Sequence, residues 1–99
     1  MRRFDIVPRT ASGALTVVVQ SDHMSDLDTR LVLPLMPLEK GGTPASRLNP
    51  VVMIDGAPYI VVTQHAAAIK TSQLGFSIGN LAAFRDEITT ALDLLITGF

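Results

Sequence analysis

Ninety-nine residues, 47% of them hydrophobic and 17% charged, are enough for one domain spanning residues 1–99 around a single core, with little room for a catalytic annex. The formal net charge of −1 argues against an electrostatic grip on nucleic acid, which needs a stripe of Lys and Arg and not the terminal pair Arg2 and Arg3. Without cysteine there is no disulfide framework or thiolate chemistry, and with neither a secretory leader nor an apolar run of about 20 residues no membrane association is expected and the cytoplasm is the expected address.

Phe4 to Val7 reads as a short strand closed by Pro8, and Arg9 to Gly13 (RTASG) as a hairpin loop. Ala14 to Gln20 (ALTVVVQ) is the next strand, with Leu15, Val17 and Val19 on a core face and Thr16, Val18 and Gln20 on a half-buried one. Ser21 to Thr29 carries Asp22, His23, Asp26 and Asp28. Their spacing is neither that of a calcium loop nor a His pair, so a solvated loop with Asx turns is expected, with no metal and no cofactor. Arg30 is free either to pair with Asp28 or to bind a phosphate.

Arg30 to Met36 (RLVLPLM) alternates as a strand, and Pro34 inside it places that strand at an edge or a bulge. Pro37 to Pro50 reads as a surface loop long enough to hold a small accessory hairpin. Val51 to Ile54 and Ala57 to Thr63 flank Asp55-Gly56, the dipeptide of a type I′ turn, and predict two adjacent core strands. Gln64 to Lys70 is ambiguous between a helical turn and a link, and His65 stands there without a carboxylate to orient it. Thr71 to Ile78 reads as a last strand with Leu74, Phe76 and Ile78 on one face.

Asn80 to Phe99 is the one convincing amphipathic helix. Leu81, Phe84, Ile88, Ala91, Leu92, Leu95 and Ile96 form its apolar stripe, Asn80 is the expected N-cap and Gly98 the stop. The fold class expected is α+β, mainly β: a small, strongly curved antiparallel sheet or partial barrel closed by the helix. The low charged fraction, against roughly 25% in an average domain, leaves apolar surface for an interface, and a homodimer is expected.

Val19-Gln20-Ser21-Asp22, Val32-Leu33-Pro34-Leu35, Asn49-Pro50-Val51-Val52-Met53-Ile54 and the segment Asp86 to Phe99 resemble, in order, characteristic stretches of the CcdB toxins of bacterial toxin–antitoxin pairs. The resemblance implies a dimeric, SH3-like antiparallel barrel (CcdB/Kid-like) with a C-terminal helix, a partly disordered cognate antitoxin, and the A subunit of DNA gyrase as target. It implies no catalysis: the toxin traps the cleaved-DNA complex with a terminal Trp-Gly-Ile. Those positions are Thr97, Gly98 and Phe99 here, the implied target-binding residues, with Leu95, Ile96 and Gly98 at the implied dimer interface. A Trp buries on the order of 200 Å² and offers a flat π face; Thr97 offers neither, and Phe99 is the aromatic side chain nearest in sequence.

Two other classes of function follow from the same residues. An endoribonuclease of the MazF/Kid type would need an acid–base set and a cation for the phosphate, from His23, Asp26 and Arg30, or from His65 with Arg47. A chain that has lost gyrase poisoning would only bind antitoxin. An acidic antitoxin tail is expected to favour Arg2, Arg3, Arg9 and Arg47.

Overall fold

The computed structural model describes residues 1–98. Among them are seven strands, β1 (Asp5–Pro8), β2 (Leu15–Val18), β3 (Thr29–Pro37), β4 (Val51–Ile54), β5 (Ala57–Val61), β6 (Ala67–Lys70) and β7 (Gly79–Asn80), followed by the helix α1 (Arg85–Thr97). The pairings are antiparallel, in the order β4-β5-β3-β2-β1-β7 with β6 also on β3. The sheet curls into a half-barrel, as expected, and α1 packs on its concave side.

β3 is the spine and not an edge. Its Val32–Pro34 pairs with β2 on one side; on the other, Thr29–Val32 pairs with β6 and Leu35–Pro37 with β5. Pro34 is tolerated because its missing N–H falls in the gap where β6 has ended and β5 has not begun. Its carbonyl is still used, accepting from the Val62 N–H at 2.9 Å.

β2 is buried on both faces. Val17 joins Leu33, Leu35, Val52 and Ile88 in the larger cluster beneath α1, whereas Val18 joins Val7, Val32, Ile69 and Leu74 on the opposite side. The face expected to be half-buried is closed by β6 and by the segment around Leu74. Thr16 on that face is buried, and its hydroxyl donates to the Val7 carbonyl at 2.8 Å.

The β4–β5 turn has Asp55 at φ +51° and Gly56 at φ +79°, the double positive φ that the Asp-Gly pair predicts. Only one face of β4 reaches the core: Val52 and Ile54 are buried, and Val51 and Met53 are exposed on the outer face of this edge strand. Residues 37–50 form no hairpin. They hold one 3-10 turn, Leu38–Lys40, and are anchored by the buried Asn49. The ambiguous stretch after β5 resolves into a 3-10 turn, Thr63–His65, and then β6.

Two expectations near the C-terminus are corrected. Thr71 to Ile78 is a 3-10 turn followed by irregular chain, with Leu74 buried but Phe76 95% and Ile78 58% exposed. It meets the chain after β1 at a single antiparallel bridge, Arg9–Leu74, flanked by the Thr10 N–H donating to Gln73 and the Gly75 N–H donating to Pro8, and the Ile78 N–H donates to Ile6; Pro8 has no N–H to return, so the bridge does not extend into a ladder. The helix starts at Arg85, not at Asn80. Asn80 lies in β7, where its amide nitrogen donates to the Arg3 carbonyl and to Asp5, and its oxygen accepts from the Ala82 N–H at 2.7 Å, ahead of the 3-10 turn Ala82–Phe84 whose N-cap position is Leu81.

Candidate functional site

The apolar stripe of α1 outlasts the sheet that it covers. Ile88 and Ala91 are fully buried and Leu92 is half-buried, but one turn later Leu95 is 40% and Ile96 77% exposed. Burial in the core accounts for the stripe as far as Leu92; Leu95 and Ile96 form an apolar knob that the described chain leaves exposed.

Local chemistry fixes how the knob ends. The Thr97 hydroxyl donates back to the Asp93 carbonyl at 2.6 Å, so it is engaged within the helix. Gly98 takes the left-handed conformation, φ +79°, and its N–H donates to the Leu94 carbonyl at 3.0 Å, the terminating bond of an αL cap. A Cβ at Gly98 would meet no heavy atom within 4 Å, so the backbone there is open to close approach by a partner. Phe99 lies outside the described residues. Among the described residues of the tip the one hydroxyl, that of Thr97, is engaged within the helix and has no base beside it; what the tip can do is bury an apolar end in a complementary surface.

The polar candidates are dispersed. Asp22 accepts from the Arg3 N–H at 2.8 Å, and Ser21 caps the turn Asp22–Met24. The Arg30 guanidinium donates to the carbonyls of Ser25, Leu27 and Thr29, so it clamps the loop, and the acceptors it is given are these carbonyls and not Asp28. His23 and Asp26 are exposed on that loop. Among the described residues no three His, Asp or Glu side chains converge to hold a metal ion.

Arg47 and His65 do not share a site. Arg47, at φ +57°, lines a groove of about 440 Å³ with Val51 and the acidic first turn of α1, Asp86 and Glu87. His65 instead lines a hollow of about 230 Å³ with Arg9. Arg9 carried no signal in sequence as a partner for His65, since it lies in the β1–β2 turn and only the sheet topology brings the two together. Of the other arginines, Arg3 stacks its guanidinium 4.9 Å from the Phe4 ring centroid.

A family model described as CcdB protein matches residues 3–98. Among solved structures, the chain is similar to an endoribonuclease in complex with its cognate antitoxin from a mycobacterial species, with a TM-score of 0.80 at 12% identity over 97% of this chain and 94% of that one. It is also similar to an endoribonuclease from a mycobacterial species, with a TM-score of 0.78 at 14% identity over 97% and 90%. A third, the Mycobacterium tuberculosis toxin MazF-mt6, has a TM-score of 0.74 at 15% identity over 92% and 94%. At these identities the likeness is one of fold. A search among curated proteins found no match.

Proposed function

Because the chain belongs to the CcdB family, we propose that it is the toxin of a toxin–antitoxin pair, acting as a homodimer that docks its paired C-terminal tips on the A subunit of DNA gyrase and traps the cleaved-DNA complex. A cognate antitoxin neutralises it. The observation that carries this reading is the exposed knob of Leu95 and Ile96, followed by Thr97 and Gly98 beyond the last buried turn of α1. A helix end that leaves apolar side chains exposed, on a chain of this family, is suited to an interface. Two such tips side by side would cover Leu95, Ile96 and Gly98 in part and leave Thr97 to meet the target.

The test is expression without the antitoxin. Growth arrest with double-strand breaks supports gyrase poisoning, and normal growth with supercoiling intact overturns it. Thr97→Trp supplies an aromatic face at the position where the family's motif has one, and the reading expects a gain in toxicity. Light scattering at micromolar concentration tests the dimer, for which a monomeric mass counts against the paired-tip geometry.

A second reading is supported by two observations: the similar structures named as endoribonucleases, and Arg9 and His65 on one hollow, a cation and an acid–base group of the kinds that RNA cleavage uses. RNA cleavage by the purified chain that is lost in His65→Ala, together with growth arrest free of DNA breaks, would replace the first reading with this one.

A further inference from the structure

All four methionines of the chain are on its surface: Met1 is 42%, Met24 53%, Met36 40% and Met53 50% exposed. Methionine is ordinarily among the residues most often buried, but here the buried residues of both core clusters are Val, Ile, Leu and Phe. With no cysteine in the chain, these thioethers are the groups through which it can take up an oxygen atom and give it back. Met1, Met24 and Met53 lie at the N-terminus, on the turn Asp22–Met24 and on the outer face of the edge strand β4, where an added oxygen meets water.

Met36 differs from the other three in what lies over it. Met36 and Ile60 are directly opposite each other on β3 and β5, so their side chains share a face, and the segment 38–50 turns back over the pair at Gly41. A Cβ at Gly41 would stand 2.6 Å from Ile60 Cδ1 and 3.4 Å from Met36 Sδ, so the backbone runs so close to both side chains that only glycine fits. Conformation does not require glycine there, since its φ is −95°. Ile60 beneath it is 3% exposed. The far end of the segment is tied separately, by Asn49 to Val61 and Gln64.

We propose that Met36 is a peroxide-sensitive site whose oxidation to the sulfoxide lifts the segment 38–50 from the sheet at Gly41. The sulfur lone pair takes one oxygen atom from the peroxide, the O–O bond breaks and water leaves; sulfur is oxidised by two electrons and the peroxide reduced by two. A dithiol reductase reverses the step, two thiols becoming a disulfide while the oxygen departs as water. The product replaces an apolar sulfur with a polar S=O acceptor. The Gly41 N–H is already given to the Leu38 carbonyl at 3.3 Å, and the Ile60 side chain has no donor. Water is therefore the partner for the new acceptor, and covering it with the loop costs free energy that opening the loop relieves. No residue of α1 lines the three hollows that Met36 lines, so the device is separate from the tip and holds whether or not the chain is a toxin.

The experiment uses the purified full chain, hydrogen peroxide and trypsin, whose sites Lys40 and Arg47 are exposed on the segment. One variant, Met24→Leu with Met53→Leu, keeps Met36 as the single internal thioether; another, Met36→Leu, removes it. Peptide mapping by mass spectrometry gives the sulfoxide content at each position. The expected result is cleavage after Lys40 and Arg47 that is faster by about fivefold or more once Met36 is oxidised. Methionine sulfoxide reductases with dithiothreitol should return it to the starting rate. Met36→Leu should show no such change under the same peroxide, and Met36→Gln, which sets a polar group there without an oxidant, should be cut fast from the start. An unchanged rate with Met36 fully oxidised overturns the proposal. So does acceleration that persists in Met36→Leu, or a Met36 that resists peroxide while Met24 and Met53 are converted. Acceleration spread equally to Arg30, Lys70 and Arg85 would mark general unfolding and overturn it too.

Discussion

The hydroxyl of Thr16 donates to the carbonyl of Val7 at 2.8 Å in the buried centre of the sheet. Thr63 is also fully buried, yet its hydroxyl has no hydrogen-bond partner among the described residues. The two residues have the same shape and opposite hydrogen-bonding situations, so replacement by Val should separate them. Thr16→Val loses a made bond and is expected to destabilise by about 1 kcal/mol; Thr63→Val removes an unsatisfied group and is expected to be neutral or stabilising by up to about 1 kcal/mol. Urea midpoints of the two variants check the difference in sign.

Asn49 ties the long loop to the sheet. Its amide nitrogen donates to the Val61 carbonyl at 3.1 Å and to Gln64 Oε1 at 2.7 Å, and its oxygen accepts from the Ala45 N–H at 3.1 Å. Asn49→Ala should cost about 2–3 kcal/mol through the stranded groups. Asn49→Asp should cost more, because it sets a buried carboxylate against the two acceptors that Asn49 now serves. The midpoint of denaturant unfolding, with the order wild type, Ala, Asp, is the measurement.

The parts of the fold that were legible in the sequence are those governed by neighbours in the chain. Asp55-Gly56 needed only its own φ values, and Ile88 and Ala91 needed only helical spacing. What stayed hidden depends on distant partners. The alternation of Leu74, Phe76 and Ile78 is a good strand pattern, but it pairs only at the Arg9–Leu74 bridge, because the next residue it meets is Pro8, which cannot donate. Pro34 marks an edge or a bulge by local rules, and the sheet places it in a central strand where one neighbour of β3 gives way to the next. The same holds for the sites: the tip at Thr97 and Gly98 could be named from residue pattern and family resemblance, whereas the hollow that Arg9 and His65 both line exists only once β1, β2 and β3 have paired.

Gly98 offers a clean test of the tip's backbone. At φ +79° with open space where a Cβ would stand, Gly98→Ala is opposed by conformation alone, at about 1 kcal/mol, or a fall of a few degrees in Tm. Asn tolerates the left-handed region better, so Gly98→Asn should recover much of that loss. If the tip works by close backbone approach, Gly98→Asn should nevertheless lose toxicity while keeping most of the Tm. Unfolding curves and growth assays on the same pair of variants read the two effects separately.

Ile88 and Ile96 lie on the same helix and divide its tasks between them. Ile88 is 0% exposed, packed among Leu33, Val52 and Leu81, whereas Ile96 is 77% exposed. Ile88→Ala removes buried methyl groups and leaves a cavity, for an expected loss of about 2–5 kcal/mol. Ile96→Ala removes surface already in water and should change stability by no more than about 0.5 kcal/mol. Binding to the target should follow the opposite order once stability is allowed for: the Ile96 variant folds normally and arrests growth poorly, and the Ile88 variant acts in proportion to the fraction that remains folded. Equal stability losses would make Ile96 part of the core, against its exposure. Full toxicity in a stable Ile96→Ala chain would remove the knob from the mechanism and leave the tip reading without the observation that supports it.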